Sequence, residues 1–313
     1  MSAYLKAALA AALIIIAFAR CGDTKNKKNA TETIPVTHKL GKTDVPLQPK
    51  RIVALDIGAV ETLLELGVDP AGVPKKFMPN YLDHLKDKTK IGDVGGVKEP
   101  DLEKINALNP DLILISTRQE KFYDELSAIA PTIYVGVDEK DYLNSFRKNT
   151  ALLAKITGKE EQATAKLKQL DEKVAATQAI FKEDAHKGMF LMFNNGKFSL
   201  FGKGSRFGFI HDVVGIKPAM ESDAGTESVF GQKISNELIA EANPDYIFLV
   251  DRNAAVVGQK ATKEEVENKL VRQTNAFKNG KIFYLEPNVW FISGGGITSM
   301  NMMLDDIQKL FKP

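Results

Sequence analysis

Two arginines in this 313-residue chain stand at matching places in a sentence that the sequence writes twice. Glu103, Asn109-Pro110-Asp111, the apolar run Leu112 to Ile115 and Arg118 each have a counterpart 134 positions later. These are Glu237, Asn243-Pro244-Asp245, the run Tyr246 to Val250 and Arg252. Three fixed points in register, with the same residue types, indicate two similar supersecondary units in two lobes. Each copy reads as a helix carrying an exposed glutamate, an Asn-Pro-Asp turn that stops it, and a buried parallel strand whose end presents an arginine. The chemistry on offer is anion capture: a guanidinium stays charged and presents a planar fork of donors. Two lobes that each aim one from a strand end describe a cleft for an anion.

The elements that must position these arginines can be read outward from them. From Arg51 the chain alternates strand and helix: Arg51 to Leu55 is apolar, Val60 to Leu66 has helical spacing that stops at Gly67, and Gly72-Val73-Pro74 is a short strand and exit. Pro100 to Ile105 opens a helix with proline and acid in its first turn. Leu112 to Ser116 is a strand, Lys121 to Ile129 a helix and Pro131 to Val135 another strand, which together predict a parallel sheet flanked by helices. Asp141 to Phe181 lacks proline and holds one glycine, Gly158, so it reads as a helix, a break and a second long helix. After Lys187 the alternation resumes, with strands at Phe190–Phe193, Phe198–Phe201, Ile247–Val250 and Lys281–Leu285. The expected organisation is α/β, with one lobe at 37–155, a rigid connecting helix at 156–185 and a second lobe at 186–313.

Charge excludes one class of partner. The formal net charge of +2 comes from Lys6 and Arg20, both in the leader, and the remainder is balanced. Dispersed lysines in a balanced chain give no electrostatic footprint for nucleic acid. Residues 1–20 read as a signal peptide: a short n-region with Lys6, then an apolar run from Ala7 to Ala19 too short to span a bilayer. Cys21, the sole cysteine, sits where a lipoprotein carries its lipid, and residues 21–36 form a polar tether. Arg20 stands where a lipobox has a small residue, and Ala17-Phe18-Ala19 reads as a cleavage site that would release a soluble protein. Anchoring through Cys21 at the outer face of the cytoplasmic membrane, or in the periplasm, is the expectation. One cysteine excludes an intrachain disulfide. His38, His84, His186 and His211 are scattered, and His211 reads as a capping or buried structural residue.

Several stretches carry a family likeness. G-G-V-K-E-P-D-L-E-K-I (95–105) running on to Asp124, I-A-P-T-I-Y-V-G-V-D (129–138), F-G-K-G-S-R-F-G-F-I-H-D-V-V-G (201–215), N-P-D-Y-I-F-L-V-D-R (243–252) and W-F-I-S-G-G-G (290–296) fall in order. From about residue 35 onward the chain resembles periplasmic binding proteins for ferric catecholate siderophores, of the CeuE and FatB kind. The resemblance implies the class III fold, two Rossmann-like lobes joined by one long helix. It also implies the substrate-binding role in an ABC iron importer: no catalysis, no intrinsic cofactor, and a ferric siderophore as cargo. The implied partners are a permease dimer with its ATPase subunits, and the implied state is monomeric.

By that resemblance Arg118, Arg206 and Arg252 form the ligand triad, with Lys121 and Lys203 as rim charges. Glu103 and Glu237 correspond to a glutamate pair that docks onto arginines of the two permease subunits. Where relatives that take tetradentate siderophores place an iron-binding His and Tyr, this chain has Phe230 and Phe291. Phenylalanine cannot ligate iron. The expected cargo therefore saturates iron by itself or keeps water in its open positions, held by arginines and an aromatic wall of Phe230, Trp290 and Phe291. Glu227, in a loop about two residues longer than in relatives, is a candidate displaced oxygen donor. Gly294-Gly295-Gly296 lacks the spacing of a phosphate loop and reads as the tight turn that faces Trp290 and Phe291 toward the cleft. The alternative cargo is another anionic cofactor such as haem or a corrinoid. No nucleophile elbow, paired carboxylates or nucleotide fingerprint supports an enzyme. A long helical strut implies only small lobe closure.

Overall fold

A computed structural model describes residues 32–76, 78–221 and 231–311. Cys21, Glu227 and Phe230 lie outside the described residues. The described chain opens with an antiparallel hairpin, β1 (Thr33–His38) and β2 (Gly41–Pro46), with Thr33 opposite Pro46. Residues 33–36, read above as tether, are thus strand. The reason is alternation: Ile34 and Val36 turn one face inward while Thr33 and Pro35 are exposed.

The first lobe is a parallel sheet of β3 (Ile52–Ala54), β4 (Gly72–Val73), β5 (Gly92–Asp93), β6 (Leu112–Ile115) and β7 (Thr132–Tyr134), in the order β5-β4-β3-β6-β7. Helices α1 (Ile57–Glu65), α2 (Leu102–Ala107) and α3 (Tyr123–Ile129) flank it. All four residues of β6 are buried, as a strand covered on both faces requires. The strand order reverses direction between β3 and β6. In open α/β sheets ligands bind beyond the carboxyl ends of the strands at such a reversal. Asp56 and Arg118 stand at those ends here.

Two helices connect the lobes. Helix α4 (Tyr142–Thr157) ends at Gly158, whose φ of 68° is left-handed, and α5 (Glu160–Phe181) runs 22 residues, roughly 33 Å at 1.5 Å per residue. The break falls where the lone glycine places it.

In the second lobe β8 (Lys187–Asn194), β9 (Lys197–Phe201), α6 (Phe209–Asp212), β10 (Lys217–Pro218), β11 (Gln232–Ile234) and α7 (Asn236–Ala242) precede the repeat strand β12 (Tyr246–Asp251). Then come α8 (Arg252–Val257), α9 (Lys263–Val266), α10 (Asn275–Lys278), β13 (Ile282–Tyr284), a π-helical turn Asn288–Ile292 and α11 (Ile297–Leu310). The sheet order is β11-β9-β8-β12-β13, with β10 beside β8. This sheet is mixed rather than a continuation of the parallel alternation, because β8, β9 and β11 pair antiparallel. A two-residue turn joins β8 to β9, with Asn195 at φ 49° and Gly196 at φ 75°, the geometry that an Asn-Gly hairpin favours.

The repeated sentence folds the same way twice. Asn109 and Asn243 both adopt left-handed backbone, at φ 47° and 42°, which Asn tolerates and which ends each helix before the proline. The aspartate that follows then clips its strand to the neighbour's start. Asp111 Oδ2 accepts from the amides of Lys50 and Arg51 at 2.8 and 2.9 Å, and Asp245 Oδ2 accepts from that of Lys187 at 3.0 Å.

Candidate functional site

Each arginine is set by its local turn. Arg118 lies in the 3₁₀ turn Thr117–Phe122 after β6, where the buried Gln119 accepts from the Ser116 amide at 2.9 Å. Gln119 also donates from Nε2 to the carbonyls of Leu55 and Val97, so one side chain fastens the ends of β6 and β3 to the 95–100 loop. Arg252 opens α8, whose first turn is capped by Asp251 accepting from Asn253 and Ala254. Arg206 projects from the turn after β9, closed by Gly204 N–H to Asp212 Oδ2 at 2.7 Å and Ser205 Oγ to the Gly202 carbonyl at 2.6 Å.

The three converge on one residue, Phe291. Its carbonyl accepts from Arg118 Nη2 at 2.9 Å and from Arg206 Nη2 at 2.8 Å, while Arg118 Nη1 donates to the Ile292 carbonyl at 2.7 Å. Its ring lies 5.0 Å from the Arg206 guanidinium and 5.9 Å from that of Arg252, and Arg206 also stacks 4.7 Å from Phe207. Arg252 Nη1 reaches Asn194 Oδ1 at 3.4 Å. The repeat placed two of these arginines; the resemblance added Arg206; the structure brings all three together across the lobes.

A fourth cation joins them. Lys98, exposed beside Val97, has its ammonium pKa lowered by partial burial and then by Arg118, Arg252 and Arg206. Burial beside Arg118 and Arg252 pushes the Arg206 guanidinium down to about 9, the carboxylate of Glu139 working the other way. Arg118 is lowered by burial, with Asp56 opposing. Among the described residues none of these four cations has a carboxylate within ion-pair distance. Clustered, with the Arg118 and Arg206 guanidinium groups buried and only the carboxylates of Asp56 and Glu139 opposing from a distance, they create a demand for an anion. Lys98 escaped the sequence reading because a lysine in a Gly-Gly-Val-Lys-Glu-Pro turn looks like ordinary solvated charge. Lys121 instead lies over its neighbour Phe122, and Lys203 is exposed near His211, so neither joins the cluster.

Two hollows meet at Arg118. One, about 510 Å³, is walled by Val97, Lys98, Pro100, Val256, Phe291 and Ile292; the other is bordered by Asp56, Thr117, Glu139, Tyr142, Arg206 and Ser293. The first combines apolar walls with cations, which suits aromatic rings that carry negative oxygens. Among the described residues no group of three or more His, Cys, Asp or Glu is placed to hold a metal ion.

Packing bears on two expectations. Trp290 is 2% exposed, donates its indole N–H to Asp306 Oδ2 at 3.1 Å and packs on Phe190 and Phe209. It is packed in the core and also contributes to the lining of the hollow beside Arg118 and Arg206. Gly294, at φ 92°, makes the expected turn, and the next two glycines add close backbone approach: a Cβ on Gly58 would lie 2.6 Å from the Gly295 carbonyl carbon, and one on Gly296 would strike Glu61. His211 is buried and bonds the Ile216 carbonyl through Nδ1, the structural role expected of it. Glu103 and Glu237 are exposed in the first turns of α2 and α7, which Asp101 and Ser235 cap. The backbone amide at the start of α7 holds the Glu237 carboxyl below the usual carboxylate range.

The comparisons with known proteins give the family. A model of the periplasmic binding protein family matches residues 52–289. The petrobactin-binding protein YclQ of Bacillus subtilis (strain 168) is 41% identical over 309 residues, 96% of each chain. Its crystal structure superposes with a TM-score of 0.86, covering 90% of this chain and 99% of that one. The ferric-anguibactin-binding protein FatB of Vibrio anguillarum is 38% identical over 281 residues, 88% of this chain and 87% of that one. The siderophore-binding protein BauB, solved with two molecules of acinetobactin and ferric iron, has a TM-score of 0.83 at 35% identity, covering 90% of this chain and 99% of that one.

Proposed function

Because this chain belongs to the periplasmic binding protein family, we propose that it captures a ferric siderophore of the catecholate type between its lobes and delivers it to an ABC permease. The observation that carries the reading is the convergence of Arg118, Arg206, Arg252 and Lys98 around the Phe291 turn with no carboxylate within ion-pair distance among the described residues. A ferric catecholate is a multiply charged anion whose oxygens are already bound to iron, so a receptor must supply diffuse positive charge and donors rather than metal ligands. The named cargoes of YclQ and FatB, petrobactin and ferric anguibactin, support the ligand class.

Phe291 presents a ring and a carbonyl where a tyrosine would offer iron a ligand. The cargo is accordingly one whose iron needs no protein donor. Glu103 and Glu237, one exposed acid per lobe at equivalent helix starts, form the permease contacts, since a two-fold importer needs one on each lobe. Cys21 carries the lipid that holds the protein at the membrane surface.

Titrating the ligand-free protein with ferric enterobactin, ferric petrobactin and a ferric bis-catecholate, with Trp290 quenching as the signal, tests the reading. Tight binding of a ferric catecholate is the expected result. Failure of all three to bind overturns it.

A further inference from the structure

The cleft turn is held from behind by a carboxylate that has no place in the site described so far. Glu61, on α1 of the first lobe, is 0% exposed. Its Oε1 accepts from Tyr81 Oη at 2.6 Å and from Ser293 Oγ, and its Oε2 accepts from the Ser299 amide at 2.7 Å, in the first turn of α11. Ser293 and Ser299 belong to the second lobe, and Ser293 directly follows the two carbonyls that receive Arg118 and Arg206.

The contact is one stitch in a seam. Between residues 291 and 299 the second lobe is bound to the first almost residue by residue. Phe291 and Ile292 accept from Arg118, Ser293 donates to Glu61, and Gly294 accepts from Tyr142 Oη. Gly295 and Gly296 press on Gly58, Thr298 Oγ1 donates to Glu65 Oε1 at 3.0 Å, and the Ser299 amide returns to Glu61. Among the described residues of the first lobe, Glu61 alone bonds both the turn just behind the arginines and the first turn of α11. The bonding is also chemically one-sided. A backbone amide can only donate, so Oε2 must accept, while both hydroxyls meet on Oε1 of a carboxyl whose pKa burial raises.

We propose that Glu61 is a positioning residue for the ligand site: by fixing Ser293 from the opposite lobe, it sets the Phe291 and Ile292 carbonyls that aim Arg118 and Arg206. This rests on the reading that those arginines hold the cargo. Glu61→Gln replaces one acceptor with a donor inside a buried network, and Ser293→Ala removes only the link to the turn.

The test compares both variants with Glu65→Gln, which loosens the same seam farther from the turn, and with Arg206→Met. Three quantities are read: emission of the lone Trp290 in ligand-free protein, affinity for ferric petrobactin, and melting temperature. Glu61→Gln and Ser293→Ala are expected to shift the emission and weaken binding about tenfold, the effect of about 1.4 kcal/mol. Glu65→Gln is expected to lower the melting temperature while leaving emission and affinity unchanged. Should Glu61→Gln fail to fold, Ser293→Ala carries the test. Wild-type emission and affinity in the folded variants, with Arg206→Met impaired, would refute the Glu61 assignment alone. Wild-type affinity in Arg206→Met would instead overturn the cleft reading, and the positioning role with it.

Discussion

At the scale of single residues the proposed site is a balance between a cluster of cations with no carboxylate in ion-pair reach among the described residues and the anion that would relieve it. Arg206→Met keeps the aliphatic stem against Phe207 and Phe291 but removes a charge repelled by its neighbours. Affinity for a ferric catecholate should fall about 10- to 100-fold, the worth of one or two charge-assisted hydrogen bonds. The melting temperature of the ligand-free protein should hold or rise, and a fluorescence titration beside a thermal melt checks both. Lys98 gives a pH signature. Its lowered pKa means that it loses charge earlier than an ordinary lysine as pH rises, so anion affinity should decline through that alkaline window. The ligand-free fold responds oppositely: between the lowered pKa and that of the unfolded chain the unfolded state binds more protons, so stability rises with pH. Lys98→Met should bind more weakly at neutral pH and show a smaller alkaline decline in a pH-dependent titration, the remainder belonging to Arg206, itself pushed down to about 9. The sequence revealed Arg118 and Arg252 because duplication marked them. It concealed Lys98 and Glu61, since an acid one position after Val60 in an amphipathic helix carries no sign that another lobe will cover it.

At the scale of elements the Asn-Pro-Asp turns do the building. Asn109→Ala removes the short polar side chain that lets asparagine tolerate left-handed backbone and should cost about 1 kcal/mol in urea unfolding, while Asn109→Gly, with no Cβ penalty there, should cost less. Asn243→Ala should cost more than Asn109→Ala, because Asn243 Oδ1 also accepts from the Asn275 amide at 2.8 Å. The first sheet and the helical break at Gly158 were legible because each rests on a local pattern, apolar runs or a solitary glycine. Strand β4 was legible at Gly72-Val73-Pro74, whereas β5, also two residues, has no apolar run to mark it. The mixed pairing in the second sheet was signalled by Asn195-Gly196, a turn chemistry that the expectation of parallel strands overrode.

At the scale of the whole molecule the repeat places one acidic helix start on each lobe, exposed and away from the cleft chemistry. Reversing both charges, Glu103→Lys with Glu237→Lys, should abolish siderophore-dependent iron uptake in cells and leave the affinity of the purified protein intact. Uptake by the producing strain and titration in vitro separate the two effects, and lost affinity would refute the docking role. The connecting helices implied modest closure from the sequence alone. The seam from 291 to 299 adds an independent restraint, one built from backbone contacts that no residue pattern announces.

The four cations at the cleft also govern how fast cargo arrives. A focused positive potential draws an anion from beyond contact distance, raising the encounter rate by one to several orders of magnitude in dilute electrolyte. That pull is screened over about 8 Å at physiological ionic strength. Speed of capture therefore belongs to the medium as much as to the protein: the same cleft gathers scarce iron complexes fastest where the surrounding fluid is least salty, whatever its affinity once they are bound.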